Sequence, residues 1–397
     1  MGAIGESPRI GHWVTTWTAM PQLTEPDNMP PPPYAKEGLV LADTTLRQTV
    51  RVSAGGRRVR LRLSNAFGGA PLPITHAAVA LPDGAAAGVS TIAPGTSRPV
   101  TFSGRTGAVV PMGAHVVSDP LDLDLPSRSV LTITLYLAHG QASSALTSHP
   151  GSRTTSYLTT GDHVSALDLP AATPIDHWYL LSGVEVWTDP ATATLALLGD
   201  SLTDGRGSTT NGNDRWPDQL FDRLPPGIAI ANQGAGGNRV LNDGLGPSAL
   251  ARLDRDVLAQ TAVRRLIVFE GVNDLGTAEP TQEDQRGTAA DLIAAYEQII
   301  IRAHARDLLV YGATLTPFGG HDPYDDPAGH REAARRTVNA WIRTSGRYDA
   351  VIDFDHAVRD PAAPRRLAVP YDVGDHLHLT PSGYHALARA VPATLFS

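Results

Sequence analysis

Apolar residues follow two different rhythms on either side of residue 190. Before it they alternate with polar ones. Val59, Leu61 and Leu63 interleave with Arg58, Arg60 and Arg62, and Leu131, Ile133, Leu135 and Leu137 with Thr132, Thr134 and Tyr136. A period of two puts one side of an extended chain on a core and the other in water, which predicts half-buried strands. Further strands are expected at 46–52, 77–81, 154–159 and 179–187. Clusters of Gly, Pro and Asp punctuate them and no long helical pattern intervenes. Residues 1–190 therefore read as an all-β sandwich of jelly-roll type, an accessory domain. The proline run 30–33 reads as a stiff surface spacer.

From residue 191 onward, short unbroken apolar runs alternate with patterns of helical period. Strands are expected at 194–199, 228–232, 265–270, 308–314 and 350–354, and helices at 214–224, 247–260, 282–306 and 328–345. The third helix is the clearest, with Leu292, Ile293, Tyr296, Ile299 and Ile300 on one face. A last helix opens at Thr380, an N-cap followed by Pro381 at the first helical position. Strands and helices in alternation make parallel βαβ units. Residues 191–397 thus read as an α/β domain, a three-layer flavodoxin-like fold around a five-stranded parallel sheet. Ligands of such sheets sit at the carboxyl ends of the strands.

Composition narrows the picture only in places. A chain of 397 residues suggests two domains, and 42% hydrophobic with 18% charged residues allows sizeable cores. A net charge of −8 argues against nucleic acid, which favours a basic face. Lys36 is the single lysine, an arginine bias without functional weight. The absence of cysteine excludes disulfides, thiolate chemistry and Cys-based zinc sites. Met1 to Glu6 lacks the pattern of a signal peptide, and Glu6 stands where a myristoylation signal wants Ser or Thr. No apolar run approaches the ~20 residues of a membrane span. The expectation is a soluble protein with no transmembrane segment, cytoplasmic or secreted with its leader absent.

The chemistry gathers at strand ends. Gly199-Asp200-Ser201-Leu202 follows the apolar run 195–198, so the Ser201 hydroxyl can reach a ligand. On its own such a serine is more often a helix cap. No Gly-x-Ser-x-Gly elbow occurs, which disfavours the α/β-hydrolase form of a serine site. Asp375-His376-Leu377-His378 supplies an imidazole, His378, and a carboxylate, Asp375, to fix its tautomer. His376 raises a zinc alternative with His321, Asp322, Asp325, Asp326 and His330, but that second stretch reads as ordinary solvated turn chemistry. The glycines of 232–238 let backbone amides approach a ligand, while a dinucleotide reading lacks the rest of its context. Asn273, in Gly271-Val272-Asn273-Asp274, offers an amide to a developing oxyanion or simply turns the chain. Each motif alone is weak, and their order along the chain is the signal.

That ordered set resembles the SGNH (GDSL) hydrolase superfamily over about residues 191–397. The blocks 199–202, 232–237, 271–274 and 375–378 carry the likeness. It implies a serine carboxylester hydrolase acting through an acyl-enzyme, with Ser201, His378 and Asp375 catalytic and no cofactor or metal. The oxyanion donors would be the N–H groups of Ser201 and Gly237 and the amide of Asn273. The last block departs from the family's frequent Asp-Gly-x-His-Pro, because His376 and Leu379 stand in it. The stretches 204–206, 213–217 and 236–239, with 47–52 and 63–68 in the β-rich part, are similar to XynE-like acylhydrolases. Asp204, Arg206, Asn238 and Arg239 are the residues expected to line the pocket. The implied substrate is a small-molecule or oligosaccharide ester, of short acyl chain, such as acetyl groups on plant polysaccharide. A lysophospholipase or lipase, a general arylesterase, an acyltransferase, and a carbohydrate-binding protein with an inert hydrolase domain stand as alternatives.

Overall fold

The computed structural model describes residues 11–396. The expectations attached to Met1–Glu6 lie outside the described residues. The period-two segments form two principal antiparallel sheets. One runs His12–Thr18, Leu181–Thr188, Gly56–Ser64, His115–Val117, with Leu121–Leu125 also pairing to Gly56–Ser64. The other has six strands in the order Thr173–Ile175, Ser156–Thr160, Thr44–Arg51, Val130–Leu137, His76–Ala80, Arg98–Pro99. Val59, Leu61 and Leu63 from the first sheet share one apolar cluster with Leu131, Ile133 and Leu135 from the second.

The second sheet departs from the half-wet expectation. Thr132 and Thr134, on the face opposite Leu131 and Ile133, are also buried. The loops around residues 90 and 166 cover that face and supply acceptors to a buried arginine. Arg47 donates to Thr134 Oγ1 (3.0 Å) and to the carbonyls of Ser90 (2.5 Å) and Ala166 (2.8 Å). Burial pulls its pKa down to about 10 despite the Asp168 charge. A guanidinium tolerates such a place because its donors are met.

The chain then enters a five-stranded sheet in which every pairing is parallel. Its strands are β1 (Ala193–Gly199), β2 (Ile228–Gly234), β3 (Val263–Phe269), β4 (Leu309–Ala313) and β5 (Ala350–Ile352), in the spatial order β2-β1-β3-β4-β5. Leu195 to Leu198 are wholly buried, as both-face coverage by helices requires. The long helices are Gln282–His304 and His330–Thr344, and the final helix, Pro381–Ala390, is capped by Thr380. Two expected elements change shape. The 247–260 helix is α-helical only over Ala249–Leu253, then widens into a π-turn over Asp254–Leu258. The expected strand 350–354 stops at Ile352, because Asp353 accepts from His356 N–H and starts the short helix Phe354–Val358.

The β-rich part docks along β2 and the turn before β3 through hydroxyl and main-chain groups. Thr15 N–H donates to Thr261 O (3.2 Å), Thr18 Oγ1 to Asn232 O (2.8 Å), and Ile230 N–H to Ser53 Oγ (2.9 Å). These bonds fix the strand His12–Thr18 and Ser53 against β2 and the turn before β3.

Candidate active site

Strand β1 delivers Ser201 through a tight exit. A Cβ at Gly199 would stand 2.2 Å from Thr203 Oγ1 and 2.8 Å from Phe269 O, so the last strand residue has to be glycine. Asp200 then caps the helical turn Ser201–Asp204 by accepting Leu202 N–H at 2.9 Å. Burial pushes the Asp200 carboxyl up to about 7, and it faces the turn rather than the cleft.

The Ser201 hydroxyl lies 2.9 Å from His378 Nε2, although 177 positions separate the two residues. On the other side of the ring, His378 Nδ1 lies 2.6 Å from Asp375 Oδ2. Asp375 Oδ1 is held by the N–H groups of Leu377 (3.0 Å) and His378 (2.8 Å). Burial alone would raise the Asp375 carboxyl, but the bonds from His378 and Leu377 outweigh it and bring it to about 2. An ionised carboxylate only accepts, so Nδ1 carries the proton and Nε2 accepts from the serine hydroxyl. Burial holds the His378 pKa below its ordinary value, and the bond to Asp375 opposes this only in part. The imidazole is therefore neutral near pH 7, the state in which Nε2 can take a proton.

Hydrogen-bond donors converge on the same space. Among the described residues, no acceptor meets the backbone N–H of Ser201 or of Gly237. Gly237 sits in a turn at φ 67°, beyond the end of β2. Asn273 opens the helix Val272–Thr277 after β3 and is locked on both sides. Its Nδ2 donates to Asn238 O at 2.8 Å, and its Oδ1 accepts from the Tyr324 hydroxyl at 2.9 Å. With the amide oriented in this way, the second Nδ2 hydrogen is free for a ligand. Ser201, Gly237, Asn273 and His378 all line one cleft of about 540 Å³.

The residues named from sequence divide. Asp204 and Arg206 line the cleft, and Asp204 Oδ1 is 2.8 Å from Nε2 of a buried histidine, His149, in the β-rich part. Asn238 and Arg239 do not line it. Asn238 is buried behind the cleft, donating to Pro247 O (2.8 Å) and accepting from Arg252 Nε (2.9 Å), so its side chain serves the loop. The Arg239 guanidinium turns to Asp243 O and Thr277 Oγ1. Asp274 also supports the loop after β2, accepting from Val240 and Leu241 N–H at 2.9 Å each. His376 binds Asp372 Oδ2 through Nδ1 at 2.6 Å, away from Ser201. Among the described residues, no three His, Asp or Glu side chains gather as a metal site.

Two residues within the stretch read as a plain turn prove to be structural partners of the site. Tyr324 holds Asn273, and His321 Nδ1 donates to Asp375 O at 2.7 Å. The sequence marks neither beyond a His and a Tyr three positions apart. The β-rich part also supplies wall residues, including Glu25, Arg153 and Asp176.

The chain is similar to solved structures of a carbohydrate acetylesterase family member from Sinorhizobium meliloti and a GDSL-like lipase from Bacteroides thetaiotaomicron. The first shares 18% identity over 51% of this chain and 97% of that one, with a TM-score of 0.41. The second shares 15% over 50% and 85%, with a TM-score of 0.38. No curated protein matches the sequence. Residues 197–386 match the sequence model of the GDSL-like Lipase/Acylhydrolase family, so this stretch of the chain is similar to that family.

Proposed function

We propose that the protein is a serine carboxylester hydrolase of short-chain acyl esters, with residues 191–397 as its catalytic domain and residues 1–190 as an accessory β-domain. Ser201 attacks the ester carbonyl as His378 Nε2 takes its proton, and Asp375 stabilises the imidazolium that forms. The N–H groups of Ser201 and Gly237 and the free Nδ2 hydrogen of Asn273 bind the oxyanion. The imidazolium then protonates the departing alcohol, leaving an acyl-enzyme on Ser201 Oγ. Water, deprotonated by His378, attacks that acyl carbon and regenerates the serine.

The observation that carries this reading is the unbroken relay from the Asp375 carboxylate through His378 to Ser201, at 2.6 and 2.9 Å. It opens onto a cleft that the three donor residues share. Few apolar side chains line that cleft, Leu245 and Leu377 among them, which favours a short acyl group over a long lipid chain. The motifs shared with XynE-like acylhydrolases support acetyl esters of plant polysaccharide as the class. The test is labelling by a phosphonate reagent alongside turnover of nitrophenyl esters of rising acyl length. Label on Ser201, with turnover falling as the chain lengthens, supports the reading. Turnover by Ser201→Ala within a few-fold of the unaltered protein would remove it.

A further inference from the structure

An acetyl group fills little of a cleft of about 540 Å³, so most of that space is left for the alcohol part of the ester. The wall there is charged, and its charges are unevenly satisfied. Each carboxylate has at least one partner in the protein, although Asp204 Oδ2, like Arg153 Nε, is buried without one. Glu25 accepts from the amides of Gln22 (2.5 Å) and Asn28 (2.9 Å). Asp176 accepts from Thr155 Oγ1 at 3.0 Å, and Asp204 and Asp375 are held by His149 and His378. The two cleft arginines have no such counterpart. Among the described residues, neither the Arg153 nor the Arg206 guanidinium makes a hydrogen bond or an ion pair, and Arg153 Nε is buried without an acceptor. Arg153 is also held in place by its main chain. It adopts φ 49°, and its carbonyl accepts Asn211 N–H at 2.9 Å.

A guanidinium carries five N–H donors in a planar fork that matches a carboxylate better than a neutral hydroxyl. A donor buried without an acceptor, as Arg153 Nε is, costs free energy until a ligand supplies one, and the exposed Arg206 adds a positive charge in the same cleft without a competing ion pair. We infer that Arg153 and Arg206 form a subsite for a carboxylate carried on the alcohol portion of the substrate, so that acidic esters are preferred over neutral ones. The inference rests on the hydrolase reading above and deepens it. The Arg206 charge reaches the reaction centre, since it is among the influences that lower the His378 pKa. A bound carboxylate would offset that charge as it docks. The β-rich part supplies one arginine and the α/β part the other, so substrate choice depends on both.

The test compares 4-acetoxybenzoate with its neutral counterpart 4-acetoxybenzamide on the full chain at low ionic strength, as a ratio of kcat/KM values. Arg153→Gln, Arg206→Gln and the double variant are measured alongside an exposed control, Arg347→Gln. The double variant should lower the acid-to-amide ratio roughly tenfold or more, the range of a lost charge-assisted pair, and the control should not move it. The preference of the unaltered protein should also shrink as salt is raised. A ratio that stays within about twofold in both arginine variants and is insensitive to salt overturns the subsite while leaving the hydrolase reading intact. Failure of the unaltered protein to cleave either ester or 4-nitrophenyl acetate overturns the hydrolase reading and the subsite with it. Arg206 is exposed, so Arg206→Gln and the salt series decide the matter even if Arg153→Gln does not fold.

Discussion

Two aspartate–histidine pairs share the loop that closes the chain's last strand-to-helix passage, and their geometry is nearly the same. Asp372 binds His376, and Asp375 binds His378, each through Nδ1 at 2.6 Å. The surroundings differ. The His376 side chain is 44% exposed and that of His378 is 8% exposed. His378 has a hydroxyl against its second nitrogen, whereas His376 lies near Gly320 in a left-handed turn at φ 64°. A carboxylate on an imidazole is therefore not what makes a general base. Burial of the ring and a hydroxyl aimed at its free nitrogen separate the two pairs, and the hydroxyl comes from the distant turn at Ser201.

The sharpest way to break this contrast is to delete each ring. His378→Ala should lower kcat on a short-chain ester by on the order of 10⁵–10⁶, as loss of a serine enzyme's base does, whereas His376→Ala should stay within about threefold. Circular dichroism and thermal melts would confirm that both variants fold. Equal losses would mean that the pairs are not distinct. Asp375→Asn comes next. It lets the ring adopt the wrong tautomer and should cost on the order of 10⁴ in kcat, against little change for Asp372→Asn.

The contrast also marks what a linear reading could see. Gly199 to Leu202 and Asp375 to His378 are local strings set by tight turns, and their placement at strand ends follows from the alternation of apolar runs with helices. Tyr324 and His321 were not legible, because their roles depend on contacts with Asn273 and Asp375 across 51 and 54 positions. Asn238 and Arg239 follow the glycine turn in sequence yet face away, since the loop spends the Asn238 side chain on Pro247 and Arg252. The covered second face of the six-stranded sheet is illegible in the sequence for the same reason. Threonines alternate there as on a wet face, and only the packing of later loops buries them.

Smaller effects are expected around Asn273. On the proposed mechanism Asn273→Ala removes one oxyanion donor and should cost roughly 10²–10³ in kcat. Tyr324 is a positioning residue, so Tyr324→Phe should cost roughly tenfold in kcat with KM little changed, because the amide loses its orientation and not its presence. In a double-mutant cycle the Tyr324→Phe effect should vanish in the Asn273→Ala background. Additive losses would show that Tyr324 acts elsewhere.

The smallest expected effect concerns pH, where the two histidines should again part. In the proposed mechanism the reactive form needs a neutral His378 ring, so kcat/KM should rise with pH and level off above the His378 pKa. Burial, opposed only in part by Asp375, holds that pKa below 6.5, so the acid limb should have its midpoint below 6.5. Arg206 adds to the lowering by disfavouring a second positive charge nearby. Removing it with Arg206→Gln should therefore shift the limb to higher pH, and the shift should be largest at low ionic strength. Asp375 titrates at about 2 and stays ionised across the measured range, so it contributes no limb of its own. Profiles of 4-nitrophenyl acetate hydrolysis from about pH 4 to about pH 8 would read these shifts directly. If Arg206→Gln left the limb unmoved at low ionic strength, the group behind it would not be His378, and the environment of that ring would not be what distinguishes the pairs.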